Sequence, residues 1–335
     1  QEPVDFLDVI TNEFTDENFR AAIRSYLGKG ADDPIYEADV RFLESLDVSS
    51  GDNMGDIQSL EGISWFSNLK KLDCSGNELT ALDFSSLTGL TELNCAGNEL
   101  TALDLSGLTG LTELDCGGNE LTALDLSGLN GLTELYCSGN KLTNLNLPSG
   151  LKVLDCSYNK LTTLNLSGLT GLTQLNYAGT GLTGLNLSGL THLKVLLCYD
   201  NGLTVLPNLP AGLTSLNCYD NKLTTLDVSA LTGLKELYCS YNRLTTLNVS
   251  GLTGLEMLDC SVNMLETLDV SGLTALRMLD CSVNKLTALD VSDNTELESL
   301  FCSNNYMTDE SQVVFHGGGE YGLCTTTRIP PAFSG

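Results

Sequence analysis

A phrase of 21 residues recurs along this chain with small variations. One copy begins at Leu90 and reads LTELNCAGNELTALDLSGLTG, and the next begins at Leu111 and reads LTELDCGGNELTALDLSGLNG. Aligned on the first leucine, twelve copies begin at Leu69, Leu90, Leu111, Leu132, Leu151, Leu172, Leu193, Leu213, Leu234, Leu255, Leu276 and Leu297. Successive copies start 19 to 21 residues apart. This spacing restricts the chain to folds that stack one small unit on the next.

The repeated pattern, L-x-x-L-x-C-x-x-N-x-L-x-x-L-x-L, is typical of leucine-rich repeats, whose period is about 20–29 residues. Apolar and polar residues alternate in the middle of each copy, as in Leu114-Asp115-Cys116, which predicts a short strand. We therefore predict an α/β-type solenoid, a right-handed superhelix of about 12 regular turns plus one degenerate turn. A parallel β-sheet is expected on its concave face, and a helical cap at its N-terminus.

A single strand cannot bury its inner face alone, so neighbouring turns must share one core. The inward residues of one turn are predicted to be Leu111, Leu114, Cys116, Leu121, Leu124, Leu126 and Leu129. Asn119 and its equivalents stand where the chain leaves each strand. We expect these amides to bond backbone groups of the turn that the strand ladder does not reach.

Eleven of the twelve cysteines occupy one slot of the repeat. They are predicted to form an inward ladder with a spacing of about 4.8 Å, the distance between strands. Because disulfides usually hold Cβ atoms about 3.5–4.5 Å apart, small buried apolar side chains are the favoured role. Disulfides or a metal site are the alternatives, and Cys324, in the tail, is a candidate reactive thiol.

The ends of the chain depart from the repeat. FTDENFRAAIRSYLG predicts a helix with Thr15 or Asp16 as its N-cap and Gly28 as its end, and a second helix is predicted over 34–42. After Asn305 the pattern fades. We predict a helical N-terminal cap over 1–42, a solenoid over 43–305, and a C-terminal cap and tail over 306–335.

FTDENFRAAI, followed by LEGISWFSNLKKLDCSGNELTALD, resembles the secreted, internalin-like leucine-rich repeat proteins of bacteria. The resemblance spans nearly the whole chain and implies a binding module that is secreted or attached to the cell surface of a bacterium. Many relatives carry an acidic D-x-D-x-D-G loop between the cap helices. In this chain that place reads GKGADDPIYEAD, which lacks the spacing and the glycine of a calcium loop.

The charge balance narrows the range of partners. The formal net charge is −27. Nucleic acids and anionic membranes bind to basic surfaces, so we predict that neither is a partner of this chain. No run of about 18 apolar residues is present, so no membrane-spanning segment is predicted. The chain begins at Gln1 rather than Met, as expected of a processed mature protein or a trimmed one.

The outward residues of the strands and of the turns that follow them are the candidate binding surface. The early turns are acidic, and the middle turns are rich in tyrosine, which suits both protein hot spots and sugar stacking. The candidate ligand-binding residues are Tyr136, Tyr158, Tyr199, Asp200, Asn217, Tyr219, Asp220, Tyr238 and Tyr241. A protein ligand is the primary prediction, and a glycan is an alternative. A calcium ion between Asp200 and Asp220 is a weaker one, because no loop gathers six oxygen ligands.

The late turns carry apolar residues on the same face. They are Met257, Val262, Met278, Val283 and Phe301, and they are candidates for self-association in a surface spacer or assembly protein.

No pattern indicates an enzyme or a cofactor. His192 lies within a repeat and His316 in the tail, and no motif places either beside a nucleophile. No phosphate-binding glycine loop is present. We therefore predict a binding protein without catalytic residues, bound metal or cofactor.

Overall fold

The computed structural model describes residues 8–50 and 56–315. The chain divides into two compact units, Gln1–Leu169 and Thr170–Gly335. Each unit is a stack of short turns with a parallel sheet along one side, so the predicted fold class, a leucine-rich repeat solenoid, is confirmed. None of the helices in the described part of the chain is long and apolar enough to cross a membrane.

Helix α1, Glu17–Tyr26, opens the first unit and follows a short 3-10 helix, Thr11–Glu13. Asp16 is its N-cap, since the carboxylate Oδ1 accepts from the backbone N–H groups of Asn18 and Phe19 at 2.9 Å. Gly28, with φ of 65°, lies just past the C-terminal end of the helix. The predicted caps of this helix are thus confirmed.

Helix α2, Glu37–Val40, is shorter than the predicted span of 34–42. Tyr36 forms an antiparallel bridge with Val9, so the chain is still extended immediately before the helix. A pairing between residues so distant in sequence overrides the local helical pattern.

The helical segment packs on the first turns of the repeat. The ring of Phe14 lies 5.7 Å from that of Phe19 and 6.2 Å from that of Phe66, both edge to face. The second carboxylate oxygen of Asp16 accepts from the backbone N–H of Gln58 at 2.8 Å, and the Tyr26 hydroxyl donates to the Ser45 carbonyl at 2.8 Å. These contacts cover the open end of the core, as a solenoid cap must.

The sheet of the first unit is entirely parallel, with each strand three residues long. A 3-10 helix, Ile63–Trp65, lies between its first two strands. The strands are β1 (Ser45–Asp47), β2 (Lys71–Asp73), β3 (Glu92–Asn94), β4 (Glu113–Asp115), β5 (Glu134–Tyr136) and β6 (Val153–Asp155). Leu72, Leu93 and Leu114 are in register, so equivalent residues of each copy stack directly.

The second unit repeats this arrangement. Its main strands are β7 (Gln174–Asn176), β8 (Val195–Leu197), β9 (Ser215–Asn217), β10 (Glu236–Tyr238), β11 (Met257–Asp259), β12 (Met278–Asp280) and β14 (Ser299–Phe301). A separate pair is formed by β13 (Leu289–Val291) and β15 (Val313–Phe315), which follows a 3-10 helix, Glu310–Gln312.

The core of each turn is apolar, as predicted. All seven residues that were expected to point inward between Leu111 and Leu129 are buried, with exposed fractions of 0–8%. Complete burial of a leucine side chain stabilises a fold by roughly 1.5–3 kcal/mol, so several per turn offset much of the chain entropy.

The cysteine ladder also lies inside. Ten cysteines from Cys74 to Cys281 are buried free thiols, and burial raises the pKa of the Cys116 thiol to about 12. Cys302 differs, because its sulfur belongs to a disulfide, so the favoured prediction of a free buried side chain is wrong at this last position of the ladder. Cys324 lies outside the described residues.

The buried asparagine column satisfies the backbone of the turns. The Asn119 amide nitrogen donates to the carbonyls of Cys95, Cys116 and Gly117 at 3.0–3.2 Å. Its amide oxygen accepts from the Leu100 N–H at 3.0 Å. Asn119 therefore ties its own turn to the preceding one, as predicted for this column.

We predict that Asn119→Ala lowers the free energy of unfolding by about 2–4 kcal/mol, because it leaves several buried backbone groups without partners. Chemical denaturation followed by circular dichroism measures the change. Asn130→Ala, at an exposed position of the same repeat, is the matched control and should change stability by less than about 0.5 kcal/mol. Equal losses in both variants would contradict the assigned role.

Candidate functional site

Up to four residues of each turn lie on the solvent-facing side of the sheet, although the residue after the cysteine is buried in some turns, as at Gly117 and Ser157. The first and third residues of a strand face outward, while the second is buried, as in Glu113, Leu114 and Asp115 of β4. The buried cysteine follows, and then a two-residue turn, Gly117–Gly118 in this copy. The chemistry of the surface is decided by what occupies these four columns.

Three tyrosines of the second unit form an aromatic row, which we name the tyrosine row: Tyr199, Tyr219 and Tyr241. The ring centroids of Tyr199 and Tyr219 are 6.4 Å apart, and those of Tyr219 and Tyr241 are 5.3 Å apart in a T-shaped arrangement. Tyr199 and Tyr219 are half-buried, whereas Tyr241 is 52% exposed. Contacts between the rings hold the row in place and leave part of each ring open to a ligand.

Tyr238 lies on strand β10, in a different column from the tyrosine row. Its hydroxyl lies 3.4 Å from the Met257 sulfur, to which it donates. Partial burial raises the pKa of Tyr238, and the nearby charges of Glu236 and Asp259 raise it further. Tyr238 is therefore a neutral hydrogen-bonding side chain at ordinary pH, in contact with the first residue of the next strand.

Asp200 and Asp220 stand beside the tyrosine row and are exposed. Both have left-handed backbone, with φ of 54° and 49°. The Asp200 N–H donates to the carbonyls of Tyr219 and Asp220, at 3.2 and 3.0 Å, so the two turns are joined. In the part of the chain that the structure describes, no group of three His, Cys, Asp or Glu side chains gathers as metal ligands.

Asn217 has a structural bond that sequence reasoning missed. Its side-chain oxygen accepts from the backbone N–H of Tyr219 at 3.1 Å, which shapes the turn that carries this tyrosine. Asp115 makes the equivalent bond to Gly117, and Asp259 to Ser261. The signal was present in the sequence, because Asp or Asn fills the third strand position in most turns, as is typical of Asx turns.

The first unit holds two of the predicted tyrosines. The Tyr136 hydroxyl donates to Glu134 at 3.0 Å, and burial together with this bond raises the pKa of Tyr136 to about 12. Tyr158 is 49% exposed and has left-handed backbone. Both face the solvent on their own unit.

The sheet face of the first unit is acidic. Glu92, Glu113 and Glu134 are register partners on adjacent strands. Partial burial raises the pKa of Glu113, and the charges of Glu134 and Glu92 add to the effect. The stacked carboxylates therefore repel one another.

The late apolar residues occupy separate columns. Met257 and Met278 are register partners at the start of their strands, and both are half-buried. Val262 lies in a turn, and Asp259 stands between it and Met257. Phe301, 38% exposed, pairs with Asp280 in the third strand column. Val283 takes the same turn position as Val262, so the five residues do not form a single apolar column.

Comparisons with known proteins agree with this architecture. A family model described as leucine-rich repeats (2 copies) matches residues 67–109, 109–149 and 211–254, and the leucine-rich repeat model matches 150–172. A comparison with curated proteins finds no match.

Solved structures give longer matches. The functional domain of InlJ from Listeria monocytogenes, which includes a cysteine ladder, is 35% identical to this chain with a TM-score of 0.80. The match covers 90% of this chain and 72% of that one. An internalin, InlF, from Listeria monocytogenes is 26% identical with a TM-score of 0.80, covering 91% and 94%. YopM, a leucine-rich effector protein from Yersinia pestis, shares the fold at 24% identity and a TM-score of 0.68, covering 89% and 84%.

The repeat fold and these matches define a leucine-rich repeat protein of the protein-interaction class. The sequence identity of the InlJ match and the share of both chains that it covers assign this chain to a family. The chain belongs to the internalin-like leucine-rich repeat proteins.

We predict that Glu113→Gln raises the melting temperature at pH 7 by about 1–2 °C, because it removes a carboxylate that its neighbours repel. The pKa of Glu113 is higher in the folded state, so the folded state loses stability as pH rises through this pKa. The gain should accordingly vanish near pH 4, where the carboxyl group is largely protonated in both states. Differential scanning calorimetry at both pH values checks this.

The exposed Glu99 provides the control variant, Glu99→Gln. A gain for Glu113→Gln that is the same at pH 4 and pH 7, or matched by the control, would contradict the repulsion.

Proposed function

We propose that this chain is a bacterial binding module, secreted or on the cell surface, that recognises a protein ligand. The site is the solvent-facing side of the second unit around the tyrosine row, with Asp200 and Asp220 at its side. Catalysis is not part of the proposed role. The observation that carries the proposal is the row of three rings in contact, each partly open to solvent.

The repeat itself supports a role beyond folding for these rings. Serine stands at the position of Tyr199 and Tyr219 in most other turns: Ser75, Ser138, Ser157, Ser240, Ser261, Ser282 and Ser303. The turn therefore forms without an aromatic side chain. Tyrosine offers a large rigid face with a hydroxyl group and is enriched among residues that dominate binding energy at protein interfaces.

The direct test is affinity capture from host-cell and bacterial surface extracts with the wild type and with the double variant Tyr199→Ser/Tyr219→Ser. We expect at least one protein that the wild type recovers at least tenfold more efficiently, because loss of an interface hot spot costs about 2 kcal/mol or more. Quantitative mass spectrometry measures the recovery.

Tyr306→Ser is the matched control, since Tyr306 is also exposed, at 53%, but lies in the last turn. It should recover the same protein as the wild type. Equal recovery of every captured protein by the double variant would place the site elsewhere.

Self-association is a second candidate, favoured by the paired and half-buried Met257 and Met278. Light scattering separates the two functions. A dimer that Met278→Asp abolishes would support self-association, and a wild-type monomer at high concentration would exclude it. Binding to a glycan array that is lost in the tyrosine double variant would instead assign the row to a sugar.

A further inference from the structure

Six residues of the second unit share a backbone conformation that side chains rarely adopt. They stand two residues after the buried cysteines, with φ between 49° and 57°, and we name them the turn row: Asp200, Asp220, Tyr241, Val262, Val283 and Asn304. The first unit has glycine at most equivalent positions: Gly76, Gly97, Gly118 and Gly139.

The fold does not require side chains in the turn row. The Gly97 N–H donates to the Gly117 carbonyl at 2.8 Å, and the Val262 N–H makes the equivalent bond to Ser282 at 3.0 Å. The N–H group at this position thus makes the same bond in a glycine turn and in a valine turn. Glycine also avoids the steric cost of positive φ, which is greatest for β-branched residues such as Val262 and Val283.

The chemical character of the turn row changes along the stack, from acidic to aromatic to aliphatic side chains. Asp200 and Asp220 place exposed carboxylates beside Tyr219, and no ion pair within residues 8–50 and 56–315 engages either one. Aromatic faces next to carboxylates attract a cation. Tyr241 comes next and contacts Tyr219, and half-buried valines follow it.

We propose that the turn row is a specificity-determining surface for a protein segment that carries a lysine or arginine followed by aliphatic side chains. The cation would lie against Asp200, Asp220 and the Tyr219 ring, and the aliphatic residues against Tyr241 and Val262. Charge complementarity favours this partner, because the chain has 43 acidic and 16 basic residues. The inference rests on the proposed function and assigns the partner's chemistry.

The test is selection of a random 12-residue peptide library, displayed on phage, against the wild-type protein. The enriched peptides are synthesised, and their affinities are measured for the wild type and two turn-row variants, Asp200→Asn/Asp220→Asn and Val262→Asn/Val283→Asn. Asparagine is suited to both pairs, because it tolerates positive φ and stands in the row at Asn304.

We expect enriched peptides with a basic residue next to aliphatic residues, and affinities that fall at least tenfold for each turn-row variant. The melting temperature of the valine variant should equal or exceed that of the wild type, because the unfavourable backbone conformation is relieved. Tyr306→Ser should bind like the wild type.

Peptides without a basic residue, or affinities within twofold of the wild type for both turn-row variants, would overturn the inference. A melting temperature lowered by more than about 5 °C in the valine variant would also overturn it, since the valines would then serve packing. A wild-type dimer that this variant dissociates would assign the row to self-association.

The tyrosine double variant separates this inference from the proposed function. Suppose that Tyr199→Ser/Tyr219→Ser loses peptide binding while both turn-row variants bind like the wild type. This result would support the proposed function and contradict only the inference about the turn row. Unchanged binding in the tyrosine variant, with loss in the turn-row variants, would contradict both the tyrosine row and the contact of the cation with the Tyr219 ring, and would restrict the site to the turn row.

Discussion

The structure depends on the hydrogen bonds of one buried side chain in each regular turn, which is an asparagine amide in all of them except the turn that carries Thr180. The chain must reverse after every strand, and the backbone groups at that point lie inside the stack, where an unpaired polar group is costly. Asn221 shows the solution: its amide nitrogen donates to Cys198, Cys218 and Tyr219, and its oxygen accepts from Asn201 and Leu203. The other regular turns repeat this bonding, except that Thr180 takes the asparagine position in the turn from Leu172 and donates its hydroxyl to the Tyr177 carbonyl. The interior therefore tolerates little variation.

The outward columns have no such constraint, and the two units use them differently. The first unit stacks carboxylates and places glycine in most of its turns, as at Gly118. The second unit has Tyr199 and Tyr219 at a position where serine forms the same turn in other copies. It has Val262 at a position where glycine forms the turn in the first unit. The turn itself does not require these side chains, because serine or glycine occupies the equivalent positions of other turns. They are consistent with a surface that is maintained for recognition, while the core supplies the stability.

Periodicity made the interior predictable. The leucine, cysteine and asparagine columns follow from the register of a 21-residue repeat, and helix α1 follows from its cap, Asp16. Features that depend on contacts between residues distant in sequence could not be predicted from local patterns. The bridge between Val9 and Tyr36 shortens helix α2. The ring of Tyr219 contacts that of Tyr241, although the two residues occupy different positions of the repeat. The left-handed backbone of the turn row could not be read from its own residue types, which are Asp, Tyr, Val and Asn. The one sequence signal is that glycine occupies the equivalent position in other turns.

The central claim, that the interior holds the fold and the solvent-facing columns are free for binding, is tested most directly within one turn. The measurement is the free energy of unfolding of Asn221→Ala against that of Tyr219→Ser, two residues away. We predict a loss of about 2–4 kcal/mol for Asn221→Ala and about 1 kcal/mol for Tyr219→Ser, which removes the ring contacts with Tyr199 and Tyr241. An equal or greater loss for Tyr219→Ser would contradict the account, because the tyrosine row would then belong to the machinery of folding.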